Sequence, residues 1–285
     1  MKIFILGTGK SGTTALVFRV AAGLPNCKAF SGGHPGKHAG SHENAVYKHT
    51  YEERKGKSFE LYMQHLENER YDKLVWMARD PRDVAVSRML YRWHKGCAGR
   101  KKQYQGHLER VMKKERDPRS IPFHALLRYT GHESGWPLSR EAVFMEEKLR
   151  YERMSEFVKQ LGKEWFLFKY EDMIAGDYST LNQYLGFTVK GEAEVPASTG
   201  KAKVVRKKAM GDWRHWFTEE DVALFKPAYL PYMQVIGYDC DDWALEPSPE
   251  IEPQFSSQYM ENLVRQNPFN KLKGLKEALR ARLPF

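Results

Sequence analysis

The chain opens with Lys2-Ile3-Phe4-Ile5-Leu6, followed directly by Gly7-Thr8-Gly9-Lys10-Ser11-Gly12-Thr13-Thr14. The first run is apolar and partly β-branched, which predicts a buried strand. The second is a turn of small residues that leads into a helix, predicted over residues 13–22 and ended by Gly23. A strand, a glycine-rich turn and a helix begin a βαβ unit, so this stretch predicts an α/β fold with a mainly parallel sheet.

The turn formed by residues 7–14, here named the glycine loop, is suited to bind an anion. A turn of this kind exposes backbone N–H groups at the positive end of a helix dipole. Its serine and threonine hydroxyls add hydrogen-bond donors, and Lys10 adds a full positive charge. We therefore predict an anion site at this loop.

Two common nucleotide motifs fit the glycine loop poorly. The P-loop of kinases and NTPases requires a glycine where this chain has Phe4. Gly7, Gly9 and Gly12 satisfy G-x-G-x-x-G, but residues 28–32 lack the acidic residue that a dinucleotide fold places about 20 residues further on. A nucleotide-binding protein or P-loop-like kinase is kept as the alternative function.

Four segments, in a fixed order, carry a family resemblance. Residues 10–14 read Lys-Ser-Gly-Thr-Thr, and residues 79–87 combine an arginine with Asp-Val-Ala-Val-Ser. Residues 166–172 read Phe-Leu-Phe-Lys-Tyr-Glu-Asp, and residues 206–213 read Arg-Lys-Lys-Ala-Met-Gly-Asp-Trp. Together they resemble the sulfotransferases that use 3′-phosphoadenosine 5′-phosphosulfate (PAPS). The resemblance implies a P-loop-NTPase-like sulfotransferase architecture, with a central, mainly parallel sheet flanked by helices.

The resemblance also implies which residues bind PAPS. Arg79 ends a predicted strand and Ser87 lies on the next helix, so both can reach one 3′-phosphate, which Arg206 and Lys207 would also contact. Tyr170 would lie near the adenine. The implied cofactor-binding residues are Lys10, Ser11, Gly12, Thr13, Thr14, Arg79, Ser87, Tyr170, Arg206 and Lys207.

The catalytic residues are expected to act on the two ends of an in-line transfer. The leaving oxygen gains negative charge, and Lys10 is the candidate cation beside it. The acceptor must lose a proton, for which a group that titrates near neutrality is suited. We assign His49 as this base, with Lys48 assisting, although the family's cytosolic members read Lys-Thr-His at the comparable place. Glu43 is the second choice for the base, and the scheme uses no metal.

Two positions depart from the family's pattern. Lys208 stands where the family's C-terminal loop usually has its first glycine, at a point where the backbone approaches phosphate. Ala15 stands where many cytosolic members have a tryptophan that stacks on adenine.

Further patterns predict the remaining elements and the domain organisation. Short apolar runs predict strands at residues 44–48, 73–78 and 165–169. Helices are predicted at residues 60–69, 84–93, 141–161 and 178–185, and at residues 218–225, where Thr218 and Asp221 form a capping box. The sulfotransferase domain is expected to cover residues 1–240, with a partly mobile helical or loop insertion at about 95–140. Residues 241–285 are expected to form an acidic, proline-rich linker and a basic amphipathic helix.

The composition predicts a cytoplasmic protein. The three cysteines are scattered without a CxxC pair, which argues against a disulfide framework. No run approaches the roughly 20 apolar residues of a membrane span, and the N-terminus does not resemble a signal peptide. The net charge is +10 and is concentrated in residues 95–119 and 264–285, which favours an anionic cofactor, acceptor or membrane surface.

The sequence indicates only the chemical class of the molecules that the protein binds. The acceptor is expected to be a small molecule, a lipid or a carbohydrate. A nucleic acid is not expected, because no recognised binding motif with interleaved aromatic residues is present. For the basic helix at residues 270–283, packing on the domain is favoured over contact with an anionic membrane surface.

Overall fold

The computed structural model describes residues 1–31, 42–51, 66, 70–129, 138–196 and 210–267. In this part of the chain, five strands form one parallel sheet in the order β2-β3-β1-β4-β5. The strands are β1 (Lys2–Thr8), β2 (Cys27–Phe30), β3 (Asn44–Tyr51), β4 (Lys73–Ala78) and β5 (Trp165–Lys169). The expected parallel α/β sheet is therefore confirmed.

Helices cover both faces of the sheet. They are α1 (Thr13–Ala22), α2 (Pro81–Leu90), α3 (Lys101–Arg116), α4 (Phe123–Leu127), α5 (Arg140–Lys159), α6 (Tyr170–Ala175), α7 (Ser179–Leu185), α8 (Trp213–Trp216), α9 (Glu219–Val235) and α10 (Ser257–Gln266), with a short 3₁₀ turn at Pro253–Phe255. Residues of α1, α6 and α7 share one apolar cluster with the sheet, and residues of α2, α5 and α9 share the other.

The alternation of side chains along each strand explains the two clusters. In β1, Ile3 and Ile5 belong to the cluster with α1, whereas Phe4 and Leu6 belong to the cluster with α2 and α5. All four are at most 1% exposed, which agrees with the continuous apolar run that predicted a strand buried on both faces.

The order of the strands locates the functional edge. From β1 the chain passes through α1 to β2 on one side of the sheet, whereas from β4 it passes to β5 on the other side. Adjacent strands whose connections leave in opposite directions form a topological switch point, and ligands bind outside their carboxyl ends. In this sheet the switch point lies between β1 and β4. The glycine loop is at the carboxyl end of β1, and Arg79 directly follows β4.

The predicted insertion is helical and contributes to the core. In α3, Val111 and His107 are fully buried, and the indole N–H of Trp93 donates to Nδ1 of His107 at 2.9 Å. Burial lowers the pKa of His107 to about 3, so its ring is neutral and can accept this bond. The periodicity of apolar residues is weak in this segment, because α3 buries few of its residues and many of the others are charged.

The predicted linker over residues 241–253 instead packs on the domain. Trp243 and Ile251 are buried, and the Arg82 guanidinium lies 4.7 Å from the Trp243 ring centre. Arg82 also donates to the backbone oxygen of Asp242. The acidic and proline-rich composition of the segment did not predict these contacts. They place the cationic surface of α2 against the segment.

Two further predictions concern the ends of the chain and the membrane. The basic helix predicted at residues 270–283 and the helix predicted at residues 60–69 fall outside the described residues, apart from Leu66. Among the helices that the structure describes, none combines the length and apolarity needed to cross a bilayer.

Candidate active site

Two glycines shape the turn after β1. A Cβ on Gly7 would lie 2.7 Å from the backbone oxygen of Met77, so only glycine lets the loop approach β4 this closely. Gly12 has a φ of 90° and precedes α1 without any side-chain cap. The first N–H groups of α1, at Thr13 and Thr14, have no partner within the helix. They face the carboxyl edge of the sheet, where an anion can accept from them.

Ser11 shapes the glycine loop. It is fully buried, and its N–H and its hydroxyl both donate to the backbone oxygen of Thr8, at 3.2 and 2.8 Å. Both donors of Ser11 therefore close the turn. Its contact with a bound anion stays a prediction.

Arg79 connects the end of β4 to the glycine loop. Its Nη1 donates to the backbone oxygen of Lys10 at 3.0 Å. Lys10 has a φ of 80°, a left-handed conformation that residues with a side chain rarely adopt. The bond from Arg79 helps to hold the backbone of Lys10 in this strained conformation. Two of the four cationic residues of the predicted donor site, Lys10 and Arg79, are thus adjacent at the switch point.

Tyr170 is packed between the glycine loop and Arg79. A Cβ on Gly12 would lie 2.6 Å from Cδ2 of Tyr170, and the Arg79 guanidinium lies 4.1 Å from the centre of the Tyr170 ring. Burial raises the pKa of Tyr170, which keeps its phenol neutral. The structure therefore brings Tyr170 to the site, and its contact with adenine stays a prediction.

The end of α2 brings a second aromatic ring to Lys10. Ser87 lies on α2, and Tyr91, four residues later, donates its N–H to the backbone oxygen of Ser87 at 3.2 Å. Nζ of Lys10 lies 3.6 Å from the centre of the Tyr91 ring. Sequence reasoning missed Tyr91, because the contact joins residues that are far apart in the chain and belong to no shared motif.

Asp83 attaches the C-terminal segment to α2. Its carboxylate accepts from the N–H of Gly211 at 2.7 Å and from the N–H of Trp213 at 3.0 Å. Arg206 and Lys207 lie outside the described residues, so their contacts with the 3′-phosphate stay predictions. Burial and the neighbouring Asp80 raise the pKa of Asp83 to about 7.

The candidate base lies at the same edge of the sheet. His49 is paired with Leu6 near the carboxyl end of β3, and it is half-buried. Its side chain is on the face of the sheet that carries Tyr47, against which α2 and α5 pack. Lys48 precedes it and therefore points to the opposite face, which carries α1. Of the two predicted catalytic residues on β3, only His49 lies on the face of the sheet against which α2 packs.

Glu43 lies at the amino edge of the sheet. Its backbone oxygen accepts from the N-terminal ammonium of Met1 at 2.5 Å, which places it at the amino end of β3. The seven residue-to-residue steps from Glu43 to Thr50 span about 23 Å at 3.3 Å per step. Thr50 is paired with Gly7 at the carboxyl edge. The structure therefore places the second choice for the base far from the glycine loop.

Together these features define an α/β protein in which an uncapped helix start, Lys10 and Arg79 lie together at the carboxyl edge of the sheet. A family model described as a sulfotransferase domain matches residues 1–237, and the chain belongs to this family of transferase enzymes. The match includes residues 95–140, which the resemblance of the motifs had left out. Comparison of the sequence with curated proteins found no match.

Proposed function

We propose that the chain is a PAPS-dependent sulfotransferase that acts on a hydroxyl or amine of a small-molecule, lipid or carbohydrate acceptor. The observation that carries this proposal is the bond of 3.0 Å from Arg79 to the backbone oxygen of Lys10. It joins a predicted 3′-phosphate ligand to the loop predicted to hold the 5′-phosphate. A donor with two phosphate groups is suited to a site with two adjacent cationic centres.

The residues present fit a nucleotide with phosphates at both ends of its ribose. The uncapped start of α1 offers N–H groups to one phosphate. Arg79 directly follows β4 and Ser87 lies on α2, and we expect both to meet the other phosphate. Ala15 supplies no ring for the adenine, and Tyr170, which packs beside Gly12 and Arg79, is the aromatic residue that we propose for this contact. The proposal includes a cytoplasmic location, which the free thiols of Cys27, Cys97 and Cys240 favour.

The mechanism assigns one task to each group of the chain. When bound, PAPS supplies the sulfuryl group and leaves as the 3′,5′-bisphosphate. The N–H groups of Thr13 and Thr14 hold the 5′-phosphate, and the Lys10 ammonium stabilises the charge that develops on the leaving oxygen. His49 accepts the proton of the attacking hydroxyl or amine. Positioning and electrostatics supply most of the rate in this type of transfer.

A thermal-shift titration with 3′-phosphoadenosine 5′-phosphate (PAP) tests the donor assignment. AMP, ATP and NAD serve as comparators. At about 100 times its dissociation constant, PAP should stabilise the fold by about 2.7 kcal/mol, with little effect of AMP. Arg79→Lys should weaken PAP binding at least tenfold, because lysine cannot replace a bidentate guanidinium. Arg70→Lys is the matched control, since Arg70 is exposed and lies before β4.

The outcomes separate the two candidate functions. Stabilisation by ATP alone would favour the alternative, a nucleotide-binding protein or P-loop-like kinase without sulfuryl transfer. Equal stabilisation by PAP and AMP would contradict recognition of the 3′-phosphate.

His49→Ala tests the base once an acceptor has been found. The rate constant kcat should fall by about 10² to 10⁴, because general base catalysis contributes this much. PAP binding should be unchanged, since His49 has no assigned contact with the donor. Glu43→Gln is the control and should keep full activity. A kcat that is unaltered in His49→Ala would remove His49 from the mechanism and leave the donor assignment intact.

A further inference from the structure

The position of the Lys10 side chain is set by two separate restraints. Its backbone is held at a φ of 80°, and its backbone oxygen accepts from Arg79 at 3.0 Å. Its ammonium lies 3.6 Å from the centre of the Tyr91 ring. The negative face of an aromatic ring attracts a cation at this distance. One restraint fixes the main chain, and the other fixes the charge at the end of the side chain.

The Tyr91 ring is itself held in place. The imidazole of His94 stacks on it with ring centres 4.1 Å apart and an interplanar angle of 7°. Lys10 and His94 are too close to the ring centre to share one face, so they occupy opposite faces. Nδ1 of His94 lies 2.9 Å from the backbone oxygen of Tyr91. The ring therefore cannot turn freely away from Lys10.

The charge state of His94 suits this arrangement. Burial lowers the pKa of His94, and the positive charges of Lys95 and Arg92 lower it further, against a hydrogen bond to the backbone oxygen of Tyr91 that raises it. The imidazole is neutral at neutral pH. It supports the ring without placing a second positive charge against the face opposite Lys10.

We propose that Tyr91 is a positioning residue for Lys10, and that its ring holds the ammonium where it can stabilise the leaving oxygen. This inference rests on the proposed function, which gives Lys10 that task. Ser87 and Tyr91 are one turn apart and share a face at the end of α2. The same surface of α2 thus serves the 3′-phosphate through Ser87 and the catalytic cation through Tyr91.

Nuclear magnetic resonance tests the contact without any turnover. The lysine side chains are reductively methylated with ¹³C, and the Lys10 signal is identified by its loss in Lys10→Arg. A cation over a ring face gives an upfield ring-current shift, which Tyr91→Phe should keep and Tyr91→Leu should abolish. Lys73 is the internal control, because its ammonium lies 4.7 Å from the Tyr184 ring centre and should keep its shift in both variants.

Kinetics test whether the contact matters for transfer. Tyr91→Leu should lower kcat about tenfold, in the range expected for a lost cation–π contact, whereas Tyr91→Phe should stay within about twofold of the wild type. Binding of PAP, whose 5′-phosphate carries the leaving oxygen, should weaken in Tyr91→Leu and stay unchanged in Tyr91→Phe. An equal fall of kcat in both variants, or a Lys10 signal that does not move in Tyr91→Leu, would overturn the proposal.

The two proposals fail in different ways. If PAP does not bind, the proposed function fails, while the ring-current shift still reports whether Tyr91 holds Lys10. If PAP binds and Tyr91→Leu keeps its kcat, the positioning role fails alone.

Discussion

Gly12 is the residue of the glycine loop at which two constraints coincide. Its φ of 90° lies in the left-handed region, and a Cβ there would be 2.6 Å from Cδ2 of Tyr170. Gly176 has a φ of 77° with no atom within 4 Å of the corresponding Cβ. The two glycines share the backbone constraint, but only Gly12 has a side chain packed against it.

Gly12→Ala and Gly176→Ala should therefore differ in their effects. Both alanines add the left-handed backbone penalty, about 1–2 kcal/mol. Gly12→Ala must also displace Tyr170, so we expect a larger loss of unfolding free energy and a loss of PAP binding. Urea denaturation and the PAP thermal shift measure the two effects. Similar losses in both variants would show that the packing of Tyr170 on the loop adds nothing.

Individual residues were predictable where a local motif contained them. Gly12, Arg79 and Tyr170 belong to continuous segments, and the structure places them together at one edge. Tyr91 was missed because its contact with Lys10 depends on how α2 crosses the loop. Glu43 directly precedes a strand whose start at residue 44 was predicted, so its position at the amino edge could have been inferred from the parallel sheet.

The α2 helix and the start of α8 are joined by one buried carboxylate. The Asp83 carboxylate accepts hydrogen bonds from two N–H groups of the C-terminal segment, those of Gly211 and Trp213. Its pKa is about 7 in the folded chain and near 3.9 when unfolded. Between these two pH values the folded chain binds more protons than the unfolded chain. The free energy of unfolding should therefore fall as the pH rises from about 4 to about 7.

Asp83→Asn should remove this contribution to the pH dependence. An asparagine does not titrate, although its amide oxygen can accept only one of the two hydrogen bonds, which reach different oxygens of Asp83. Urea denaturation at several pH values between about 5 and 8 gives the free energy of unfolding of each protein. Relative to the variant, the wild type should lose stability up to about pH 7 and then level off. Parallel pH profiles would contradict the raised pKa of Asp83.

Elements with a strong local signal were predicted well. The bounds of α1, β4 and β5 agree with the expected ranges, and the capping box of Thr218 and Asp221 is formed at the start of α9. No sequence pattern predicted β2, because this edge strand is short and half-exposed. None predicted α10 either, whose first residues follow a proline-rich stretch.

At the scale of the whole molecule, the core extends beyond the part that the family model matches. The match ends at residue 237, whereas Trp243, Ile251, Tyr259 and Met260 are buried in the larger apolar cluster. Composition alone suggested a linker here, since burial of these residues depends on surfaces that earlier helices supply.

A pair of methionines tests this extension of the core. Met260 is 0% exposed and Met210 is 56% exposed. Met260→Ala should lower the free energy of unfolding by about 2–5 kcal/mol, because it removes buried apolar surface and leaves a cavity. Met210→Ala should change it by less than about 0.5 kcal/mol. Urea denaturation measures both, and a cost for Met260→Ala as small as the control's would place α10 outside the cooperative unit.

The bonds of Asp83 have a consequence for how the protein is made. The carboxylate and its partner Gly211 are 128 residues apart in the chain. At about 5–20 residues per second, the ribosome needs roughly 6–26 s to supply that partner. During this interval α2 can form, but its Asp83 carboxylate and the Arg82 guanidinium lack the C-terminal residues Gly211, Trp213 and Trp243 that contact them. A nascent chain stalled before residue 211 should bind chaperones that a chain released after residue 267 does not.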